Sequence, residues 1–304
     1  MELGAADTLT LLVYLGVLLA MGLWFARKNT STEEYFVGGR RFRGWVIGLS
    51  LVGTSISSIT FLAYPADAFK TAWLRYLPNL ALPLAVLIAA FVFLPFFRRG
   101  GLISAYEYLE GRYGPSIRVY GAIAFIVAQL ARLAMILWLL SLLIQEVAGL
   151  DPLTAIVLGG LFVGLYTVLG GIDAVIWTDV LQTLILLVGG IVCIWVIIDL
   201  LPGGLEQILS VADRHDKLSF AAKRGDDLEP VGWNLSLTAK TGTMMLLIGM
   251  TNWLTEYSSN QNTVQRYCAA ASTREARRGM LVVVLASLPI WAFYMFLGTA
   301  LFVF

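Results

Sequence analysis

Gly53-Thr54-Ser55-Ile56-Ser57-Ser58-Ile59-Thr60 lies in the middle of a stretch, 45–66, that is otherwise apolar enough to cross a bilayer. At about 100° per residue its five hydroxyls point all around a helix, so no face is suited to lipid. Ser and Thr often bond back to carbonyls of their own helix. So dense a run, beside Gly53 and ahead of Pro65, favours instead a locally unwound helix. On either reading the segment has to be enclosed by protein or line a cavity, because hydrocarbon offers polar groups no partners.

Around this stretch the chain of 304 residues is 59% hydrophobic and 13% charged, with a mean hydropathy of +0.80. Charged residues make up about a quarter of an ordinary globular chain, so the composition almost excludes a soluble domain, and the helix-length apolar runs predict an all-α membrane protein. A spanning helix needs about 20 apolar residues. Eight runs qualify, at 8–26, 45–66, 77–97, 119–148, 153–170, 174–198, 241–265 and 280–304. The first reads as a retained helix, since Arg27 and Lys28 follow it while Glu2 and Asp7 precede it.

Short cytoplasmic loops carry the excess of Lys and Arg. Threading the chain with its N-terminus outside places Arg27, Lys28, Arg40, Arg41, Arg43, Arg98, Arg99, Arg112, Arg118, Arg266, Arg274, Arg277 and Arg278 inside. Lys70, Arg75, Arg214, Lys217, Lys223, Arg224 and Lys240 fall outside, the last five in a long loop, 199–240, with a short amphipathic stretch. The net charge of +1 points to no nucleic-acid partner. One His and two Cys provide neither a four-ligand metal cluster nor a disulfide framework. His215, among Asp213, Arg214, Asp216 and Lys217, reads as a solvated surface residue, and Cys193 and Cys268 as packing residues at opposite ends of their helices. The sequence contains no His-Glu-x-x-His, nucleophile elbow or carbonyl-filter motif, which argues against an enzyme or a channel.

A second polar run, Thr251, Asn252, Thr255, Glu256, Ser258, Ser259, Asn260, Gln261 and Asn262, crowds the seventh span. Either that helix ends near Tyr257, leaving about 17 residues across, or it too is interrupted. Two interrupted spans five helices apart, in corresponding positions of two halves, are a pointer to a transporter site at the midplane.

Arg132 stands about 14 residues, roughly 20 Å of helix, beyond Arg118. An arginine that deep faces a cavity or an acid, either Asp179 or Glu256, or gives a planar two-pronged donor to a substrate carboxylate. Asp179 comes soon after the turn Gly170-Gly171-Ile172-Asp173 and suits a cation or a helix terminus. Gly160 and Gly164 read as close helix packing, and Trp45, Trp73, Trp177 and Trp233 as an aromatic belt.

Tyr35-Phe36-Val37-Gly38-Gly39-Arg40, Ser57-Ser58-Ile59-Thr60-Phe61, Ser104-Ala105-Tyr106-Glu107-Tyr108-Leu109-Glu110, Tyr166-Thr167-Val168-Leu169-Gly170-Gly171 through Trp177-Thr178-Asp179, and Val264-Gln265-Arg266-Tyr267 together resemble the sodium/solute symporter family. The resemblance runs along essentially the whole chain. Within the family the chain looks like the bacterial sialic acid transporters more than the monocarboxylate and multivitamin branch.

The resemblance implies a LeuT-type inverted-repeat fold in one transmembrane domain, 1–304. It has an extra first helix at 8–26, a first five-helix repeat at 45–198, an extracellular loop at 199–240 and the start of a second repeat at 241–304. It implies sodium-coupled symport of a small organic solute such as sialic acid or a monocarboxylate, by a monomer in the cell membrane. Carried over by position, the carbonyls of Gly53 and Ile56 bind sodium, and Asp179 matches the acid of a second sodium position. Ser55, Ser57 and Thr60 contact the substrate, Arg132 takes its carboxylate, and Asn79 stands where the sialic acid transporters place a glutamine. Two features depart from the family. The chain stops at Phe304 inside an apolar run, so it reads as a fragment with an incomplete second repeat. Arg75 and Pro78 flank Asn79 where related transporters carry uncharged side chains. A sodium/sugar symporter and a non-transporting fragment are the alternative readings.

Overall fold

In the computed structural model, residues 4–57, 59–99, 104–224, 227–236 and 238–304 are described, so Glu2 and Ser58 lie outside the described residues. Helix α1, Ala5–Ala26, leads through the short α2, Thr32–Val37, which Ser31 caps and Gly38 ends in the left-handed region at φ 57°. Helix α3, Gly44–Ser55, then breaks off. The chain is extended at Ile56 (φ −96°, ψ 121°) and resumes as a wide turn, Ile59–Ala63, and α4, Tyr64–Lys70. The two halves meet at a 61° bend. The unwound reading of the hydroxyl run therefore holds.

A 3-10 stretch, Trp73–Ala81, opens the next span. It continues through α5, Leu82–Ile88, a wide turn, Ala89–Phe93, and α6, Leu94–Arg99. Next come α7, Ala105–Tyr113, and α8, Pro115–Ala148, whose proline stands at the helix start, where its missing N–H loses nothing. Helix α9, Pro152–Leu200, is capped by Asp151 and kinked at Gly171 (φ 61°, ψ −158°). The connection beyond it holds the amphipathic α10, Gly204–Arg214, and a small antiparallel hairpin, β1 Ala221–Arg224 with β2 Asp227–Pro230, which the all-α reading did not include. Helices α11, Gly242–Ser258, α12, Gln261–Cys268, and α13, Thr273–Val303, complete the order, capped by Thr241, Asn260 and Ser272.

Among the described residues, five helices are long and apolar enough to span a membrane, or six if the bent α3–α4 pair is one span. The eight expected runs differ from this in two places. The runs at 153–170 and 174–198 form one element, α9, because the chain passes Gly171 as a kink rather than a loop. The run at 241–265 becomes the 17-residue α11, because helix geometry stops at Ser258 before α12 begins.

The broken α3–α4 pair runs along α13, while α11 packs on the 3-10 stretch and α5. Glycines allow the closest approaches. A Cβ on Gly298 would come within 2.2 Å of the Pro65 carbonyl, and one on Gly249 within 2.0 Å of the Pro78 carbonyl. By contrast, Gly164 faces open space and a Cβ on Gly160 would meet only Leu137, at 3.8 Å. The small-residue contact expected there lies instead between α1 and α9, where a Cβ on Gly22 would come within 2.7 Å of the Tyr166 side chain. Ile47, Leu51, Val52, Ile176, Met280, Val283 and Tyr294 form the centre of the buried core. The most apolar stretch of α8 has no buried residue and presents its side chains outward.

The connection 199–240 closes over one end of the bundle. Lys217, 5% exposed, donates to the carbonyls of Phe69 and Thr71 and lies 3.9 Å from the Phe302 ring centre. Burial lowers its pKa from the ordinary lysine value. The exposed His215 sits edge-on to the same Phe302 ring at 5.5 Å. Trp73 is tied in by its indole N–H to Thr299, at 3.0 Å, while Trp45 meets Trp177 edge to face.

Candidate functional site

Where α3 stops at Ser55, the carbonyls of its last turn lose their i+4 amide partners. Val52 still accepts from the Ile56 amide at 2.9 Å, and the Ser55 carbonyl receives the Thr60 hydroxyl at 3.5 Å. Thr54 and Ser55 bond back to Ser50 and Leu51 one turn earlier, so self-satisfaction and unwinding coexist in this segment. Ser57 accepts from the Ile59 amide within the break itself. Three layers of polar side chains line up along the broken pair.

The first layer holds Asp179. Its Oδ2 accepts from Ser50 Oγ at 2.7 Å and from Arg266 Nη2 at 2.8 Å. Arg266 also donates from Nε to Ser50 Oγ at 2.9 Å and from Nη1 to the Asn262 carbonyl at 2.9 Å. One guanidinium thus links α3, α9 and α12. The charge census placed Arg266 in a cytoplasmic loop, whereas it is 7% exposed, because α12 folds back under α3 and carries it inward. Gly53 belongs to this layer too. A Cβ there would come within 2.7 Å of Thr183 Oγ1 and 2.9 Å of the Asp179 carbonyl oxygen.

In the second layer the buried Tyr257 hydroxyl faces Ser55. Its neighbour Glu256 accepts from Asn260 at 2.9 Å and Thr263 at 3.0 Å, and stands 3.9 Å from Arg132. Of the two acids weighed for Arg132, the structure selects Glu256. The contact is loose, and the arginine side chain keeps 39% of its surface exposed.

The third layer is built around Tyr64, one turn beyond Thr60. Its hydroxyl accepts from Asn79 Nδ2 at 2.9 Å, Asn79 itself being buried. Arg75 lies over the Tyr64 ring at 5.2 Å and pairs with Asp67. The sequence-selected residues are therefore distributed rather than gathered in one ring. Gly53 and Asp179 meet in the first layer, Ser55 approaches the Arg132 layer through Tyr257, and Thr60, bonded to the Ser55 carbonyl, precedes by one turn Tyr64, the partner of Asn79. Sequence reasoning did not select Ser50, Tyr64, Tyr257 or Arg266. Only Arg266 carried a usable signal, a basic residue just after a polar, broken helix.

An interrupted helix whose polar groups lie among long apolar helices is the mark of a multi-pass membrane protein. The Sodium:solute symporter family model matches residues 35–304, and the chain belongs to that family. It is 34% identical to the sodium/sialic acid symporter NanT of Aliivibrio fischeri over 98% of this chain and 57% of that protein. It is also 34% identical to the sodium/sialic acid symporter SiaT of Proteus mirabilis, over 100% of this chain and 59% of that one. A solved structure of a Na+-coupled sialic acid symporter, substrate-bound and outward-open, superposes with a TM-score of 0.89 at 31% identity, covering 99% of this chain and 61% of the other. The chain thus spans a little over half the length of these relatives.

Proposed function

We propose that the protein is a secondary active transporter that couples the inward movement of sodium to that of a small organic solute, a carboxylate such as sialic acid or a monocarboxylate, by alternating access. The observation that carries this reading is the broken α3–α4 span, whose freed backbone and hydroxyls lie beside Asp179 and the Arg132 layer. The likeness to two sodium/sialic acid symporters supports the choice of ion and solute class. We assign the fold to the LeuT-type inverted repeat, with eight spans counted when α9 is divided at Gly171 and α11 is included. The protein acts as a monomer in the cell membrane, with the N-terminus and the 199–240 connection outside.

In this reading the carbonyls of Gly53 and Ile56 hold a sodium ion, since hard cations prefer oxygen ligands. Asp179 serves a second sodium ion. Ser50 and Arg266 both use its Oδ2, so in this reading Oδ1 is the oxygen that meets the cation. Ser55, Ser57 and Thr60 contact the solute, Asn79 orients it, and Arg132 exchanges its loose partner Glu256 for the solute carboxylate. Sodium orders the break and so prepares the solute site, which makes each ligand raise the affinity of the other. The membrane potential adds about 2.3 kcal/mol per net charge per 100 mV.

The test is uptake into proteoliposomes with and without a sodium gradient, offering sialic acid, lactate and glucose. Sodium-dependent uptake of a carboxylate supports the proposal. Uptake of glucose alone would assign a sodium/sugar symporter, and uptake that ignores sodium would overturn the coupling.

A further inference from the structure

The 3-10 stretch and the hairpin enclose a cleft of ≈ 660 Å³ whose lining includes Asp67, Arg75, Pro78, Lys223, Glu229 and Lys240. Arg75 and Asp67 of the third polar layer form part of its wall. Arg75 reaches from the cleft onto the Tyr64 ring, Tyr64 accepts from Asn79, and Asn79 is buried. A continuous path of contacts therefore runs from the cleft to a residue assigned to the solute.

Three of these lining side chains are cationic, Arg75, Lys223 and Lys240, and two are acidic, Asp67 and Glu229. Lys223 and Lys240 come from the long connection, and both are exposed. They are held over the cleft because Lys217 and the Trp73 amide, which donates to the Ser219 carbonyl at 2.9 Å, pin that connection to the end of α4. Arg75 is paired with Asp67 in a contact whose side chains are 40% and 42% exposed. A pair so wet is weakly held and easily exchanged. A guanidinium is also a fork that matches a carboxylate with two parallel hydrogen bonds.

We infer that Arg75, assisted by Lys223 and Lys240, forms an outer binding site for the carboxylate of the incoming solute, at which the solute displaces Asp67 from Arg75. This rests on the carboxylate symport proposed above and adds to it a first recognition step ahead of Arg132. Asp67 keeps the guanidinium placed over Tyr64 until an anion arrives. Clustered cations around a cleft raise the local concentration of an anion, an effect that salt screens. Arg75 is thus a specificity-determining residue, favouring anionic over neutral solutes before the inner site is reached.

The experiment measures initial rates of sodium-driven sialic acid and lactate uptake by the full-length protein in proteoliposomes, at low and high ionic strength. Arg75→Gln is expected to raise the KM for the transported carboxylate about tenfold with kcat unchanged, and to flatten the rise of KM with salt. Arg75→Lys should recover part of the loss. Asp67→Asn, which frees Arg75 without removing it, should lower KM, and it tests the site even if Arg75→Gln proves unstable. An unchanged KM and salt dependence in Arg75→Gln, or a raised KM in Asp67→Asn, overturns the outer site while leaving symport intact. Absence of sodium-driven carboxylate uptake by the wild type overturns both the symport reading and this inference.

Discussion

Arg266 and Asp179, 87 residues apart in sequence, meet at 2.8 Å with Ser50 bonded to both. Their side chains are 8% and 16% exposed, so each charge depends on the other. Removing one partner of a buried pair costs about 3–5 kcal/mol, whereas replacing both is often tolerated. Arg266→Gln alone is therefore expected to lower the thermal unfolding midpoint in detergent strongly. The double variant Asp179→Asn with Arg266→Gln should recover most of the loss. A double-mutant cycle checks this, and strictly additive losses would contradict the coupling.

Arg132 presents the opposite case. Its contact with Glu256 is 3.9 Å long and 39% of the arginine side chain is exposed, so the two side chains hold each other only loosely. Arg132→Ala is expected to leave the unfolding midpoint nearly unchanged while reducing carboxylate uptake more than tenfold. Parallel melting and uptake measurements separate the two roles. A large drop in midpoint with uptake kept would make Arg132 a structural partner of Glu256.

The break at Ile56 was legible because five hydroxyls in so short a run cannot all find a lipid-free face on a regular helix. Arg266 was legible only as a basic residue after a polar, broken helix, not as a buried partner of Asp179. A charge census counts a residue by its distance from an apolar run, and only the fold-back of α12 under α3 reveals that this arginine points inward. Likewise Gly160 and Gly164 carry the packing spacing but face outward, because spacing states which residues share a face and not what that face meets. The partnership of Tyr64 with Asn79 depends on the 3-10 geometry of Trp73–Ala81, which apolar periodicity does not predict.

Cys268 is fully buried between α12 and its neighbours, and burial pushes its thiol up to about 11 from an ordinary 9.0. The raised value means that the folded protein keeps the proton while the unfolded chain loses it. No stability is lost to this group below pH 9, and loss sets in as pH climbs from 9 towards 11, at roughly 1.4 kcal/mol per unit. The thiolate is the reactive form. Maleimide at neutral pH is therefore expected to spare Cys268 in the folded protein and to label it after denaturation in detergent. Because Cys193 is exposed, the test uses a Cys193→Ser background, in which ready labelling of the native protein would contradict the enclosure of Cys268.

Gly249 provides the sharpest test of how α11 seats the 3-10 stretch. A Cβ there would come within 2.0 Å of the Pro78 carbonyl oxygen, and backbone on both sides leaves no flexible side chain to yield. Gly249→Ala must push Pro78 aside, and overpacking of this kind costs typically about 1–3 kcal/mol. Because Pro78 adjoins Asn79, the displacement should also reach the Asn79–Tyr64 hydrogen bond and raise the KM for solute. Gly16→Ala is the control, since nothing lies within 4 Å of a Cβ at that position of α1 and alanine is the better helix former. Unfolding midpoints and uptake kinetics are expected to fall in Gly249→Ala and to hold or improve in Gly16→Ala. Equal behaviour of the two variants would mean that α11 does not press on the 3-10 stretch, and the placement of Asn79 beside Tyr64 would need another support.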